Sequence, residues 1–497
     1  MLRNAILSMM NKPLFLILVS ILSASLFSAC KDNYEDYSTS PNDVLTFSHD
    51  TLRFDTLFST IGSSTKYILV YNNNKKPLLI SSISLADGNN GFRLNVDGEK
   101  GSSFNNVEIR EKDSIYIFVE TTLKENNNNI PIDLFDSLVF ITNTVKQQVI
   151  LQAAGQDAYI WKKGGIIESD STLKNDKPYL IYDSLIVKEG ATLTIPEGTT
   201  LYLHDKAKID VHGTLKIQGK QGNPVTIRGD RLDKLWDISY DLRPGQWAGI
   251  QIYPESFNNE INHARIRNGV HGIQCDSSDV SQSKLKITNT ILTNVYYNLL
   301  TATNCDIEAS NCEFSNAGGA LASLTGGSYS FVHCTFANHF TGSRSGASLY
   351  LRNYKMKSNA QNPEDTTPLP LLKADFLNSI ITGQMISEIY FDKVNEEKHP
   401  NIAFNYRMDH CLLKMKYEDL STSNITNYIL NEKPEFGNLN DYKDYVFSFL
   451  LKPESPAIDK GSAAYMIPTD MNGEYRPTGT NPDLGAYEWV EQPKENE

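Results

Sequence analysis

From Val44 onward, apolar positions along the chain come in short runs that repeat every second residue. The runs "VLTFSHDTLRFD", "KYILVYN", "LLISSISL", "SIYIFVE", "SLVFIT" and "QQVILQA" are rich in β-branched and aromatic residues, with Asn, Gly, Asp and Lys turns between them. About seven short strands in this stretch predict a small β-sandwich over residues 44–157. It contains no Cys, so an inter-sheet disulfide is excluded.

Beyond residue 158 the texture changes. "DSLIVKEGATLTIPEGTTLYLHDKAKIDVHGTLKIQGKQGNPVTIRGD" alternates very short strands with Gly, Pro-Glu-Gly and Asp turns. So many turns suit a solenoid whose chain bends every few residues. A repeated phrase sets the period. "NCEFSN" at 311–316 and "HCTFAN" at 333–338 share a pattern whose opening position recurs at His263, Asn289, Asn311, His333, Asn378 and His410. The intervals are 26, 22, 22, 45 and 32 residues. A base coil near 22 fits all of them, the interval of 45 being one coil plus an excursion through the Pro-rich "KSNAQNPEDTTPLPLL" at 357–372.

Coils of this length, made of strands without helical periodicity, predict a parallel β-helix. "LIVKEGATLTIPEGTTLYL", "GTLKIQG" and "QWAGIQI" resemble the opening turns of bacterial parallel β-helix repeat proteins of the pectate-lyase-like superfamily. The resemblance implies an all-β, right-handed parallel β-helix over 158–450. It implies no particular activity, because that superfamily houses lyases, hydrolases, esterases, adhesins and inert scaffolds. The preceding sandwich resembles the immunoglobulin-like modules that often stand before catalytic or binding domains in bacterial surface proteins. "SPAIDKG", "DMNGEYRP" and "NPDLGAYEW" resemble the closing segment of bacterial β-helix surface proteins, which assigns 451–497 to a cap over the last open coil.

Alternation within each strand predicts which residues face inward. Phe314 and Phe336 should join Ile266, Leu292, Ile381 and Leu413 in one buried column, and Cys312 and Cys334 should join Ala264, Thr290, Ser379 and Cys411 in a second of smaller side chains. Asn311, His333, Glu313 and Thr335 are expected outside. The closing Asn268, Asn294, Asn316 and Asn338 are expected at an inner corner, in left-handed backbone, bonded from coil to coil. This resembles the asparagine ladder of pectate-lyase-like folds. Five cysteines without a CxxC pair argue for buried free thiols rather than a disulfide framework or zinc site.

The first 29 residues read as an address. Arg3 and Lys12 precede an apolar stretch, and Ser28 and Ala29 precede Cys30, which resembles a bacterial lipoprotein signal with Cys30 as the lipidated residue. Residues 30–43 form an acidic tether. Its "CKDNYEDY" resembles the export signal of surface lipoproteins in Bacteroidota, which implies the outer membrane and an outward-facing, lipid-anchored protein. The 46 basic and 59 acidic residues give a net charge of −13, which argues against a general nucleic-acid binder. Cleavage before Cys30 leaves 44 basic against 59 acidic residues, a charge of −15.

Candidate chemistry concentrates in "RGDRLDKLWDISYDLRPGQWAG" at 228–249. Trp236, Tyr240 and Trp247 are candidates to stack on a sugar, with Asp237, Asp241 and Arg243 as hydrogen-bonding or catalytic partners. No adjacent Asp pair, Gly-His-Gly triplet or Arg-x-Lys motif of polygalacturonase-like enzymes is present within 158–450. No cofactor is implied. Asp459, Asp470 and Asp483 are the alternative set for a calcium ion. The functional expectation is a non-catalytic scaffold for glycans or outer-membrane proteins, and the competing one is a polysaccharide lyase or glycoside hydrolase acting on an acidic polysaccharide.

Overall fold

The computed structural model describes residues 36–491 except 89–90, 128–129, 236–237, 358–364 and 440–446. The signal segment, Cys30, Trp236 and Asp237 lie outside the described residues. The chain divides into two units, 1–124 with 132–155, and 125–131 with 156–497.

The first unit is a sandwich of two five-stranded sheets. Ile68, Val70, Ile117 and Val119 of one sheet share a single core with Ile80, Ile83, Phe140 and Leu151 of the other. The ten strands exceed the seven that sequence predicts: the run at 44–55 divides into Thr46–Phe47 and Thr51–Phe58, and the polar Glu99–Gly101 carries no apolar alternation.

The second unit is a parallel β-helix with three faces. The first face stacks Thr192–Pro196, Thr214–Gln218, Asn259–Asn262, Ser283–Thr288, Asp306–Ser310 and Gly327–Val332. The second stacks Thr200–Leu203, Val225–Gly229, Ala264–Arg267, Ile291–Val295, Glu313–Ala317 and Thr335–Asn338. The third stacks Lys208–Val211, Gly249–Ile252, Ile273–Cys275, Leu300–Thr303, Ala322–Thr325 and Leu349–Arg352. The interval of 45 is one coil: Phe336 pairs directly with Ile381, and the hairpin of Tyr354–Met356 with Thr366–Pro368 supplies part of the excursion.

The interior follows the alternation. Ile266, Leu292, Phe314, Phe336, Ile381 and Leu413 stand in register on successive coils and are buried. Phe314 and Phe336 stack at 4.6 Å with rings 8° apart. The coil spacing of about 4.8 Å thus places like rings face to face. Cys312, Cys334 and Cys411 are buried free thiols, and burial pushes Cys411 up to about 12.

The corner ladder sits one column away from its expected place. His263, Asn289, Asn311, His333, Asn378 and His410, the residues that open each phrase, all adopt left-handed backbone with φ between 45° and 52°. Each is the bend between the first and second faces, a conformation that Asn and His tolerate better than other residues with a Cβ. Side-chain bonds run between coils in this column: Asn311 Nδ2 donates to Asn289 Oδ1 at 3.2 Å, and Asn378 Nδ2 to His333 Nε2 at 3.0 Å. Asn268, Asn294 and Asn316 are also left-handed, but Asn268 and Asn338 donate their amides to backbone carbonyls instead of to one another.

Candidate functional site

The second face changes character along the solenoid. Two outward columns run from coil to coil, one through Thr226, Arg265, Ile291, Glu313, Thr335, Ile380 and Leu412. The other passes Tyr202, Arg228, Arg267, Thr293, Ser315 and Ala337. Toward the C-terminal end these columns are apolar. Ala337, Ile380 and Leu412 are buried beneath Phe436, Phe449, Leu451, Leu484, Ala486 and Tyr487. The C-terminal segment is therefore a lateral strap along the second face, not a plug over the last coil. Its backbone reaches back as far as Gln221, whose Nε2 donates to the Asn472 carbonyl.

The strap is fastened to the left-handed corner. Asn311 Nδ2 donates to the Thr469 carbonyl at 2.8 Å, and Arg476 Nη1 donates to Asn311 Oδ1 at 2.6 Å. Arg476 also pairs with Glu488 at 3.2 Å, both side chains fully buried. Asn378 exchanges bonds with the backbone of Ser462. His333 accepts at Nε2 from Asn378, so its Nδ1 carries the proton donated to the Gly485 carbonyl at 3.3 Å. Burial and the nearby Arg476 hold this imidazole neutral, well below its usual value. The residues expected outside are thus outside the coil yet covered: Asn311, His333, Glu313 and Thr335 are all buried.

Asp459, Asp470 and Asp483 do not gather as cation ligands. Asp459 Oδ1 accepts the amides of Thr480 and Asn481, Asp470 those of Asn472, Glu474 and Glu488, and Asp483 those of Asp459 and Trp489. These carboxylates organise the turns of the strap. Burial pushes Asp483 up to about 6.

The excursion, described over 230–235 and 238–246, lies at the opposite end of the face. Trp247 secures it from within: the indole is fully buried in the solenoid core and Nε1 donates to the Arg267 carbonyl at 2.8 Å. Trp247 therefore presents no ring to a sugar. Tyr240, in the 3₁₀ turn Tyr240–Leu242, has the guanidinium of Arg231 at 3.7 Å and that of Arg243 at 5.1 Å from its ring, so cations occupy its surroundings. The Arg243 carbonyl accepts from Gln246 and Asn268, which holds the turn against the coil.

Between excursion and strap lies a cleft of about 730 Å³. Asp241 enters it from the 3₁₀ turn and bridges two arginines of the face, Arg228 at 3.1 Å and Arg267 at 3.0 Å. Burial lowers Arg267, with Asp241 opposing. Arg265 is exposed on the same wall and has no ion pair within 4 Å among the described residues. Across Ile291 stands Glu313, whose Oε2 accepts from Tyr487 of the strap at 2.5 Å and whose Oε1 accepts from Ser315 at 2.7 Å. Burial raises this carboxyl, against the two hydroxyls and Arg265. Of the described residues proposed from sequence for catalysis or sugar stacking, Asp241 lines the cleft and Tyr240, Arg243 and Trp247 do not, while Asn294 and Asn316 of the expected ladder also line it; Arg265, Arg267, Glu313 and Tyr487 were missed.

The chain matches no protein-family model, and no curated protein matches it. Among solved structures it is similar to a protein of unknown function from Porphyromonas gingivalis W83, at 14% identity and a TM-score of 0.19, over 26% of this chain and 60% of that one. A family 123 glycoside hydrolase from Clostridium perfringens is matched at 10% identity and 0.14, over 24% of this chain and 30% of that one. Pectate lyase Pel9A is matched at 10% identity and 0.25, over 66% of this chain and 96% of that one. The first two matches span less than two thirds of their partners' length. The stacked parallel coils themselves identify the fold as a parallel β-helix.

Proposed function

We propose that the protein is an outer-membrane lipoprotein, anchored through Cys30 and facing outward, whose β-helix binds an acidic polysaccharide in the cleft of the second face. The sandwich is its immunoglobulin-like spacer. Arg265 carries this reading. It is an exposed guanidinium without an ion-pair partner among the described residues, beside two further arginines that share one carboxylate. In a chain of net charge −13, an exposed guanidinium beside these two arginines favours an anion. Guanidinium groups suit carboxylate or sulfate, to which they bond bidentately.

The cleft also places an acid with a raised pKa, Glu313, on the wall that carries Arg265, which favours a second reading as a lyase or hydrolase of the same polymer. Purified protein titrated with alginate, pectate and heparosan checks both. Arg265→Ala is expected to weaken binding about tenfold to a hundredfold, the loss of one or two charge-assisted bonds. Unchanged affinity would sink the binding reading. If polymer is cut, Glu313→Gln should stop cutting while binding persists; if chain length never changes, the protein is a binding scaffold.

A further inference from the structure

Two residues beyond Asn294, which lines the cleft, stands a pair of exposed tyrosines that the binding of an anion does not require. Tyr296 and Tyr297 are 55% and 51% exposed. They follow Asn294 on the coil that lines the cleft with Ile291 and Thr293. Two exposed aromatic residues in succession at a turn invite flexibility, yet this turn is held firmly. The Tyr296 amide donates to the Gly269 carbonyl at 3.0 Å, and the Tyr297 amide to Val270 at 2.8 Å. The Tyr297 carbonyl accepts from Gly319 at 3.1 Å.

The rings are fixed as well. Tyr296 and Tyr297 meet edge to face at 4.9 Å and 90°, and His271 stacks on Tyr297 at 5.2 Å. Burial keeps His271 below its usual pKa, so no cation competes at that ring. Gly245 of the excursion lies against Tyr296, and a Cβ there would stand 3.7 Å from its side chain. The excursion that puts Asp241 into the cleft therefore also borders the ledge.

We infer that Tyr296 and Tyr297 form an aromatic ledge that takes the apolar ring faces of sugar units beyond the one held by Arg265, so that the ligand is a glycan chain of several units. The inference rests on the binding reading above. The tyrosine rings offer flat stacking faces to a pyranose, and rigid rings lose little entropy on binding. From Ile291, beside Arg265, to Asn294 the coil is extended strand that already covers about 10 Å, at roughly 3.3 Å per residue, before the bend that leads to Tyr296. One sugar ring is too small to touch both sites.

The test compares uronic-acid oligosaccharides of two and eight units, drawn from alginate, pectate and heparosan, on wild type, the double variant Tyr296→Ala/Tyr297→Ala, and Arg265→Ala. The double variant is expected to bind eight-unit chains about tenfold more weakly and two-unit chains as wild type does, while Arg265→Ala weakens both. Equal effects on both lengths, or none on the longer, overturn the ledge and leave the basic cleft standing. If Arg265→Ala changes neither, or wild type binds none of these sugars, the binding reading fails and the ledge with it. Tyr296→Phe/Tyr297→Phe should keep the long-chain affinity, separating ring stacking from hydroxyl bonding.

Discussion

At single residues, the same few side chains both shape backbone and hold ionisable chemistry. Asn311 turns the corner in left-handed backbone, bonds the coil before it and receives Arg476 of the strap. No smaller amide-free residue could meet all three demands. Two residues beyond the corner position, Glu313 becomes a buried acid only because Tyr487, distant in sequence, covers it. His339 shows how such burial reads out in pH. Burial lowers it to about 4, with Glu388 opposing and Lys414 and Arg344 adding to the fall. Its folded pKa lies below the unfolded value of about 6.5, so its contribution to stability is present above pH 6.5 and lost as pH falls toward 4. Each unit of pH removes up to about 1.4 kcal/mol. Denaturation of wild type and His339→Gln between pH 7 and 4 should show their stability difference shrinking across that window; a difference independent of pH would contradict a buried neutral imidazole.

At the level of elements, strand alternation made the interior legible and left the exterior obscure. "CEF" and "CTF" announce two inward columns, because the small and large positions repeat at the coil period. The left-handed column was harder to place, since Asn both opens and closes phrases such as "NCEFSN", and Asn311 and Asn316 are both left-handed. One signal of the strap was present: Ile380–Ile381 and Leu412–Leu413 put apolar residues on both sides of a strand, the mark of burial on two faces. The basic wall was hidden because Arg228, Arg265 and Arg267 lie on two strands whose adjacency depends on the excursion between them. Trp247 shows the same limit, for composition alone does not distinguish an aromatic platform from an anchor. As an anchor it makes a definite prediction. Trp247→Ala should cost about 3–5 kcal/mol in denaturant unfolding of the β-helix unit, as a core truncation does. A variant with native stability and lost glycan binding would instead mark Trp247 as a contact residue.

For the β-helix unit as a whole, the strap decides whether the second face is a binding surface or bare scaffold. It buries Ala337, Ile380 and Leu412, satisfies Asn311, His333 and Asn378, and gives Tyr487, Met471 and Asn472 to the cleft. An end plug and a lateral strap predict opposite results when residues 454–497 are removed. Without a plug, the last coil would offer open strand edges, so truncated molecules would associate end to end while the cleft kept its ligand. Without a strap, the second face loses its cover along several coils and the Glu313 carboxyl loses Tyr487. Truncated protein is then expected to lose glycan binding entirely, bind a hydrophobic dye and unfold at markedly lower denaturant. A milder cut separates the polar lock from the apolar cover: Arg476→Ala leaves Glu488 buried without its partner and should cost about 3–5 kcal/mol with the apolar contacts intact. Filaments with unimpaired glycan binding after truncation would restore the plug. Loss of binding in both variants, graded with the extent of strap removed, would establish that the C-terminal segment builds the site it borders.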